Sequence, residues 1–221
     1  MVPRKLLKLI ENGTVERHAA GDIFYALDFK EELYIVKSGY VKRYAMDDEQ
    51  KVIESIYGPG YFFPLTPVFK KLLDFNLSQE NKRYVYQAMT NLEIQGISSK
   101  ALEEAVTADP AVYADLLLEA GVRLKANINR LASNALKDDY KKVAHQLVCL
   151  ADEFGEPKQN GVRPSLRIQV PLEAIDIAEQ LNLSVETVQE AFEKLQEQDL
   201  LDIEDRYLSI NDMNLVKDVY L

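Results

Sequence analysis

Between Ser184 and Glu190 the chain reads Ser-Val-Glu-Thr-Val-Gln-Glu. Glu186, Thr187, Gln189 and Glu190 bring carboxylate, hydroxyl and amide groups close together, a set that donates and accepts hydrogen bonds. Covalent chemistry would need a base beside a nucleophile, and the chain supplies none: His18 and His145 are far apart in sequence, and the carboxylates are scattered rather than paired. There is no phosphate-cradling glycine-rich loop either. Cys149 is the only cysteine, which leaves no disulfide framework, cysteine zinc site or iron–sulfur cluster. Inside the run His145-Gln-Leu-Val-Cys-Leu150 it is expected to pack as a small apolar side chain. No catalytic residue, metal or cofactor is assigned, and an enzyme is not expected. Recognition through hydrogen bonds is the chemistry that remains.

The elements that must carry these residues follow from periodicity. Ile175, Ala178 and Leu181 recur at helical spacing, as do Val188, Ala191, Phe192 and Leu195. Asn182 suits a turn with positive φ, and Ser184 is placed to cap the second helix. Leu166, Ile168 and Val170 alternate ahead of the helices. Leu201 and Ile203, then Leu208 and Ile210, alternate after them around Glu204-Asp-Arg206, which predicts a strand and a hairpin. A winged helix-turn-helix results.

The run Ile177-Ala-Glu-Gln-Leu-Asn-Leu-Ser-Val-Glu-Thr-Val188, followed by Leu195-Gln-Glu-Gln-Asp-Leu-Leu201, resembles the DNA-reading domain of the Crp/Fnr transcription regulators. The resemblance implies that the first turns of the second helix enter the major groove. On that docking Glu186 accepts from cytosine N4, Gln189 pairs with adenine, Val185 touches a thymine methyl and Thr187 meets a phosphate. Members that read guanine carry Arg where this chain has Val185 and Glu190, so an A·T-richer half-site is implied. Ser184 caps the reading helix. Tyr140, Lys141 and Lys142, at the first turn of the helix after the hinge, are the candidates for phosphate contacts.

Charge complicates this picture. The net charge is −10, unusual for a nucleic-acid binder. From Arg167 to Leu221, four basic residues (Arg167, Lys194, Arg206, Lys217) stand against thirteen acidic ones, a net −9. Residues 121–146 carry Arg123, Lys125, Arg130, Lys137, Lys141 and Lys142 against Asp138 and Asp139, a net +4. Unaided DNA binding is therefore expected to be weak, since phosphate neutralisation supplies much of the affinity.

Residues 21–97 change to short β-type runs between turns: 33–36, 40–44, 52–56, 84–86 and 92–94. Leu33-Tyr-Ile-Val-Lys-Ser-Gly39 and Gly58-Pro-Gly60-Tyr-Phe-Phe63 are similar to the cyclic-nucleotide-binding roll of the same regulators. In nucleotide-binding members the cassette after the last glycine offers backbone amides and an Arg to the phosphate and a Glu to the ribose. Here Pro64 removes an amide and Leu65 cannot accept from a hydroxyl, so cAMP is not expected to bind. Lys82, Arg83 and Tyr84 roughly occupy the place of the family's Arg-Ser pair, after an apparent insertion through 70–79. Tyr61, Phe62, Lys82, Arg83 and Tyr84 are the effector candidates, although interior aromatics of a roll are more often core than a ligand box.

Ser99 is a candidate cap for a helix leading to Asp109-Pro110, where a long helix begins. Val112, Leu116, Ala120, Leu124, Ile128 and Leu131 trace a stripe along it, and in the resembling family this helix pairs with its twin. Met1–Ile10 alternates basic and apolar residues, with no run long enough for a signal peptide or a membrane span, so a cytoplasmic location and no membrane partner are expected. The fold class expected is α+β: a β-roll sensor at 1–109, a dimerisation and hinge helix at 110–137, and a winged-helix DNA-binding domain at 138–221. The partners implied are double-stranded DNA, a second copy of the chain, an unidentified small effector and RNA polymerase. The alternative is a dimeric protein-interaction or small-molecule-binding module on the same scaffold with lost or weak DNA binding.

Overall fold

A computed structural model describes residues 4–11, 13–25, 29, 33–47, 50–65, 68–69, 83–158 and 165–220. Lys82 and the expected insertion at 70–79 lie outside these residues. The chain forms two compact units, Met1–Lys125 and Ala126–Leu221, which divide inside the long helix.

The N-terminal unit begins with α1 (Arg4–Ile10), and then folds β1 (Thr14–His18), β2 (Ile23–Tyr25), β3 (Leu33–Ser38), β4 (Val41–Asp47), β5 (Gln50–Tyr57), β6 (Phe62–Phe63), β7 (Arg83–Ala88) and β8 (Leu92–Ile97). These strands pair antiparallel in two sheets, β1-β8-β3-β6 and β2-β7-β4-β5. The β3–β4 link turns at Gly39, with φ +82°; a Cβ there would lie 2.2 Å from the Asn91 carbonyl oxygen, so only glycine fits. The five strand runs read from sequence all lie within observed strands, apart from Tyr40 at the edge of β4. The pairing of β4 with β5 shifts at Arg43/Tyr44, where Glu54 of β5 is the extra residue, while β4 keeps its two-residue alternation against β7, so Arg43 shares the side of Val41 and Tyr44 is buried on the other face. The sheets enclose an aromatic core of Phe24, Tyr34, Tyr57, Phe63 and Tyr86.

A second core lies under the helices. Leu6 and Ile10 of α1, Leu102 and Val106 of α2 (Ser99–Ala108), and Val112 and Leu116 of α3 (Ala111–Ala135) pack on Leu33, Ile35, Phe62 and Ile97. Ser98, not Ser99, caps α2, its hydroxyl accepting from Ala101 N at 3.3 Å. The cap must sit outside the helix with extended backbone, and Ser99 already occupies the first helical position.

The C-terminal unit contains the last turns of α3, then α4 (Asp139–Phe154), β9 (Gly155–Pro157), β10 (Leu166–Ile168), α5 (Ala174–Leu181), α6 (Val185–Glu197), β11 (Leu201–Glu204), β12 (Tyr207–Ile210) and α7 (Met213–Tyr220). One sheet runs β11-β12-β10-β9. Val143, Leu147, Ile168, Ile177, Leu181, Val188, Leu195, Leu208 and Val216 are buried. Ile175, read from sequence as part of the apolar stripe of α5, is exposed at 41%. Asp176 takes the inward position instead, because its carboxylate closes a capping box with Glu173.

Candidate nucleic-acid interface and effector site

Two short helices meet at Asn182, whose φ of 55° and ψ of 48° turn the chain in the left-handed region. Two residues later Ser184 caps α6, its hydroxyl accepting from Thr187 N at 3.1 Å. Val188, Ala191, Phe192 and Leu195 bury one face of α6. Glu186, Gln189, Glu190, Glu193, Lys194 and Glu197 are therefore left on the exposed side, as the 3.6-residue period requires. The wing is β11–β12, turned at Asp205 with φ 55°.

The first turn of α6 is partly self-occupied. Thr187 Oγ1 lies 3.0 Å from Ser184 Oγ. Hydrogen bonds from its own backbone amide and from the Ser184 side chain hold the Glu186 carboxyl below its usual range. A base reaching Glu186 must compete with those donors. Val185 is half-buried, whereas Gln189 and Glu190 are exposed.

The start of α4, where the phosphate candidates Tyr140, Lys141 and Lys142 stand, already has partners of its own. Asp138 caps it, accepting from Lys141 N at 3.1 Å, and Lys142 Nζ is held by Asp139 Oδ1 at 2.7 Å. A phosphate arriving here meets one amide already taken and one lysine already paired. Tyr140 donates from its hydroxyl to Gln198 Oε1 at 2.7 Å, and Lys194 Nζ lies 3.9 Å from its ring centre. Tyr140 thus ties the start of α4 to the end of α6. Sequence reading missed Gln198 and Lys194 in this role because the contacts span more than fifty residues.

Other cations of this unit are engaged as well. Arg206 of the wing pairs with Glu173 at 2.7 Å, Lys158 with Asp202 at 2.9 Å, and Arg167 lies 4.7 Å from the Tyr207 ring centre.

In the roll, the effector candidates separate. Phe62 is fully buried in the core beneath the helices and Leu65 packs against the same core, so Phe62 faces other side chains and not an open site. The Arg83 main chain pairs with Met46 in β7, while its side chain, like the whole of Lys82, lies outside the described residues. Tyr61 and Tyr84 come together through residues not singled out from sequence. The Arg123 guanidinium sits 4.0 Å from the Tyr61 ring and 5.4 Å from that of Tyr57, and Arg43 sits 4.8 Å from Tyr84 and 6.0 Å from Tyr57. Arg43 also pairs with Glu54 at 2.8 Å. The signal was an arginine sharing the inward parity of Val41 two residues earlier. A depression of about 400 Å³ lined by Arg17, His18, Ser38, Asn91 and Glu93 contains none of the expected effector residues. No cluster of three metal-ligating residues occurs among the described residues, and no described helix is long and apolar enough to cross a membrane.

Comparison with known proteins agrees with this geometry. The family model for the Crp-like helix-turn-helix domain matches residues 141–219. The match covers most of the C-terminal unit and includes both helices of the turn and the wing. Solved structures extend the likeness to the whole chain. A CooA mutant from Carboxydothermus hydrogenoformans is 19% identical with a TM-score of 0.74, covering 100% of this chain and 96% of that one. FixK2 from Bradyrhizobium japonicum is 19% identical with a TM-score of 0.70 over 95% and 98%. A transcriptional regulator of the CRP/FNR family from Thermus thermophilus is 17% identical with a TM-score of 0.66 over 94% and 98%. No curated protein matches in sequence. The chain thus has the CRP/FNR transcription-regulator fold, with α5 and α6 as the Crp-like helix-turn-helix and β11–β12 as its wing.

Proposed function

We propose that the chain is a homodimeric transcription regulator, in which the roll at 1–109 senses a small effector other than cAMP, the helix at 110–137 dimerises, and 138–221 binds DNA through α6. The observation that carries this reading is the exposed polar row Glu186, Gln189 and Glu190 on a capped helix whose opposite face is locked into a Crp-like core. Such a row meets base edges when the helix lies in a major groove.

Dimerisation is supported by α3. Leu117, Leu124, Ile128 and Leu131 are 61%, 60%, 54% and 65% exposed, at steps of three and four once Gly121 is counted. A Cβ added at Gly121 would meet nothing within 4 Å, so another backbone can approach there. The seam begins at Leu117. Val112 and Leu116, expected to belong to it, are spent on the roll's own core.

The acidity of α6, together with the pairing of Lys142 and Arg206, favours a second reading: a dimeric module whose helix-turn-helix contacts protein. Fluorescence titration with A·T-rich and mixed duplexes at low and moderate salt, run beside sedimentation, separates the two. A dimer that binds DNA weakly and preferentially at low salt is expected. A monomer overturns the dimer, and no binding to any duplex at low salt leaves the interaction module. Calorimetry with cAMP is expected to show no binding, and micromolar binding overturns the exclusion based on Pro64 and Leu65.

A further inference from the structure

Ser133, close to the end of α3, is fully buried. Its hydroxyl lies 2.7 Å from His145 Nδ1, 3.1 Å from Gln146 Oε1 and 3.1 Å from the Asn129 carbonyl oxygen. Gln146 then donates from Nε2 to Gln180 Oε1 at 2.6 Å, and Gln146 and Gln180 are themselves buried. A continuous polar path therefore leads from α3 through α4 to the last turn of α5. Gln180 stands two positions before the Asn182 turn and four before the Ser184 cap of α6.

Proton counting gives the path a direction. A hydroxyl has one proton, and the Asn129 carbonyl oxygen and Gln146 Oε1 compete for it at the same 3.1 Å; when it goes to Gln146, the Nδ1–H tautomer of His145 supplies the donor to Ser133 Oγ. Burial holds the His145 pKa below its ordinary value. In that arrangement each link has one donor and one acceptor as far as Gln180, whose Nε2 is buried with no partner among the described residues.

That orphan donor bears on what the path is for. An unmade buried hydrogen bond costs the desolvation of its group, and two apolar side chains of the same volume would avoid the cost. Stability alone does not account for a pair of glutamines here. Hydrogen bonds do what apolar contacts do poorly: they permit one register and exclude its neighbours.

We propose that Ser133, Gln146 and Gln180 form a positioning relay that sets α5 against the end of α3, and through the Asn182 turn fixes the angle at which α6 is presented to DNA. The inference rests on the DNA-binding reading above. No contact with DNA is assigned to these residues.

The test uses the full chain with Gln146→Leu and Gln180→Leu combined, and a second variant with Gln146→Met and Gln180→Met, whose unbranched side chains follow the glutamine path. Three quantities are read: the thermal midpoint, amide exchange across 174–197 without DNA, and affinity for the duplex that the unsubstituted chain prefers. The expected result is a midpoint unchanged or raised, exchange at least tenfold faster across 174–184, and affinity at least tenfold lower. Unchanged exchange overturns the relay, and so does faster exchange with unchanged affinity. A lowered midpoint in both variants also overturns it, because the glutamines would then hold the fold itself. If the unsubstituted chain binds no duplex, the DNA-binding reading has failed on its own account, and exchange alone decides whether the relay positions α5.

Discussion

The Arg43–Glu54 pair of the roll and the Lys158–Asp202 and Arg206–Glu173 pairs of the winged-helix unit use their cations in opposite ways. In the roll, Arg43 is inside, its side chain 16% exposed against Glu54 at 19%, and it lies over tyrosine rings. In the winged-helix unit, Lys158 and Asp202 are 36% and 46% exposed, and Arg206 and Glu173 are 50% and 53%. A buried pair broken on one side leaves an uncompensated charge, at a cost of about 3–5 kcal/mol. An exposed pair contributes roughly 0–1 kcal/mol. The roll's arginine is thus committed to architecture, while the outer cations of the other unit are held loosely enough for a phosphate to take them. On the proposed function, pairing at the surface is expected to lower DNA affinity without abolishing it.

The largest effect that tests this contrast is on stability. Arg43→Ala should cost the N-terminal unit on the order of 3 kcal/mol in denaturant unfolding, whereas Lys158→Ala should cost its unit less than about 1 kcal/mol. Equal losses would break the comparison.

Next comes the charge of the reading helix. Glu190→Arg should raise DNA affinity and steepen the slope of log K against log salt by about 0.9 for each phosphate newly neutralised. No change with any duplex would remove α6 as the reading element. A smaller effect, of opposite sign, is expected at the start of α4. Lys141→Ala together with Lys142→Ala should weaken binding to all sequences alike, with Lys141 carrying the larger share because Asp139 already holds Lys142. Titrating the two single variants against one duplex would show the order.

The smallest effect concerns a carboxylate on the roll's side of the comparison. Glu119 is buried, and Phe62 N donates to its Oε2 at 3.5 Å. Burial raises its pKa, and this outweighs the lowering by that hydrogen bond and by Arg123. A group whose pKa is raised in the fold stabilises fully below its unfolded pKa, and that contribution is lost as pH rises through the folded value. Near pH 7 the carboxylate is therefore a burden. Glu119→Gln should raise the midpoint of the N-terminal unit at pH 7 and flatten its dependence between mildly acidic and neutral pH. A lowered midpoint at pH 7 would show that the charge is compensated.

Much of the helix-turn-helix was legible in the chain alone. The α5–turn–α6 unit depends on helical periodicity, on Asn182 accepting positive φ and on Ser184 capping Thr187 N, all set by neighbours a few residues away. The roll's strands were legible for the same reason, since alternation is written within each strand. Which face of an element is covered was not. The period of α3 predicts a stripe, but Val112 and Leu116 are buried by α1, α2 and β3 while Leu117, Leu124 and Leu131 stay exposed. Ile175 and Asp176 exchanged their expected places through a capping box. Arg43, Tyr57 and Arg123 meet because regular alternation along β4 puts one arginine on the side of Val41 and a distant helix delivers the other. Ser133 and Gln180 are joined through Gln146 across nearly fifty positions. Local spacing and backbone preference therefore determined which elements form and where they turn, whereas only the tertiary structure decided their partners, because burial and hydrogen bonding are settled by groups that sequence distance conceals.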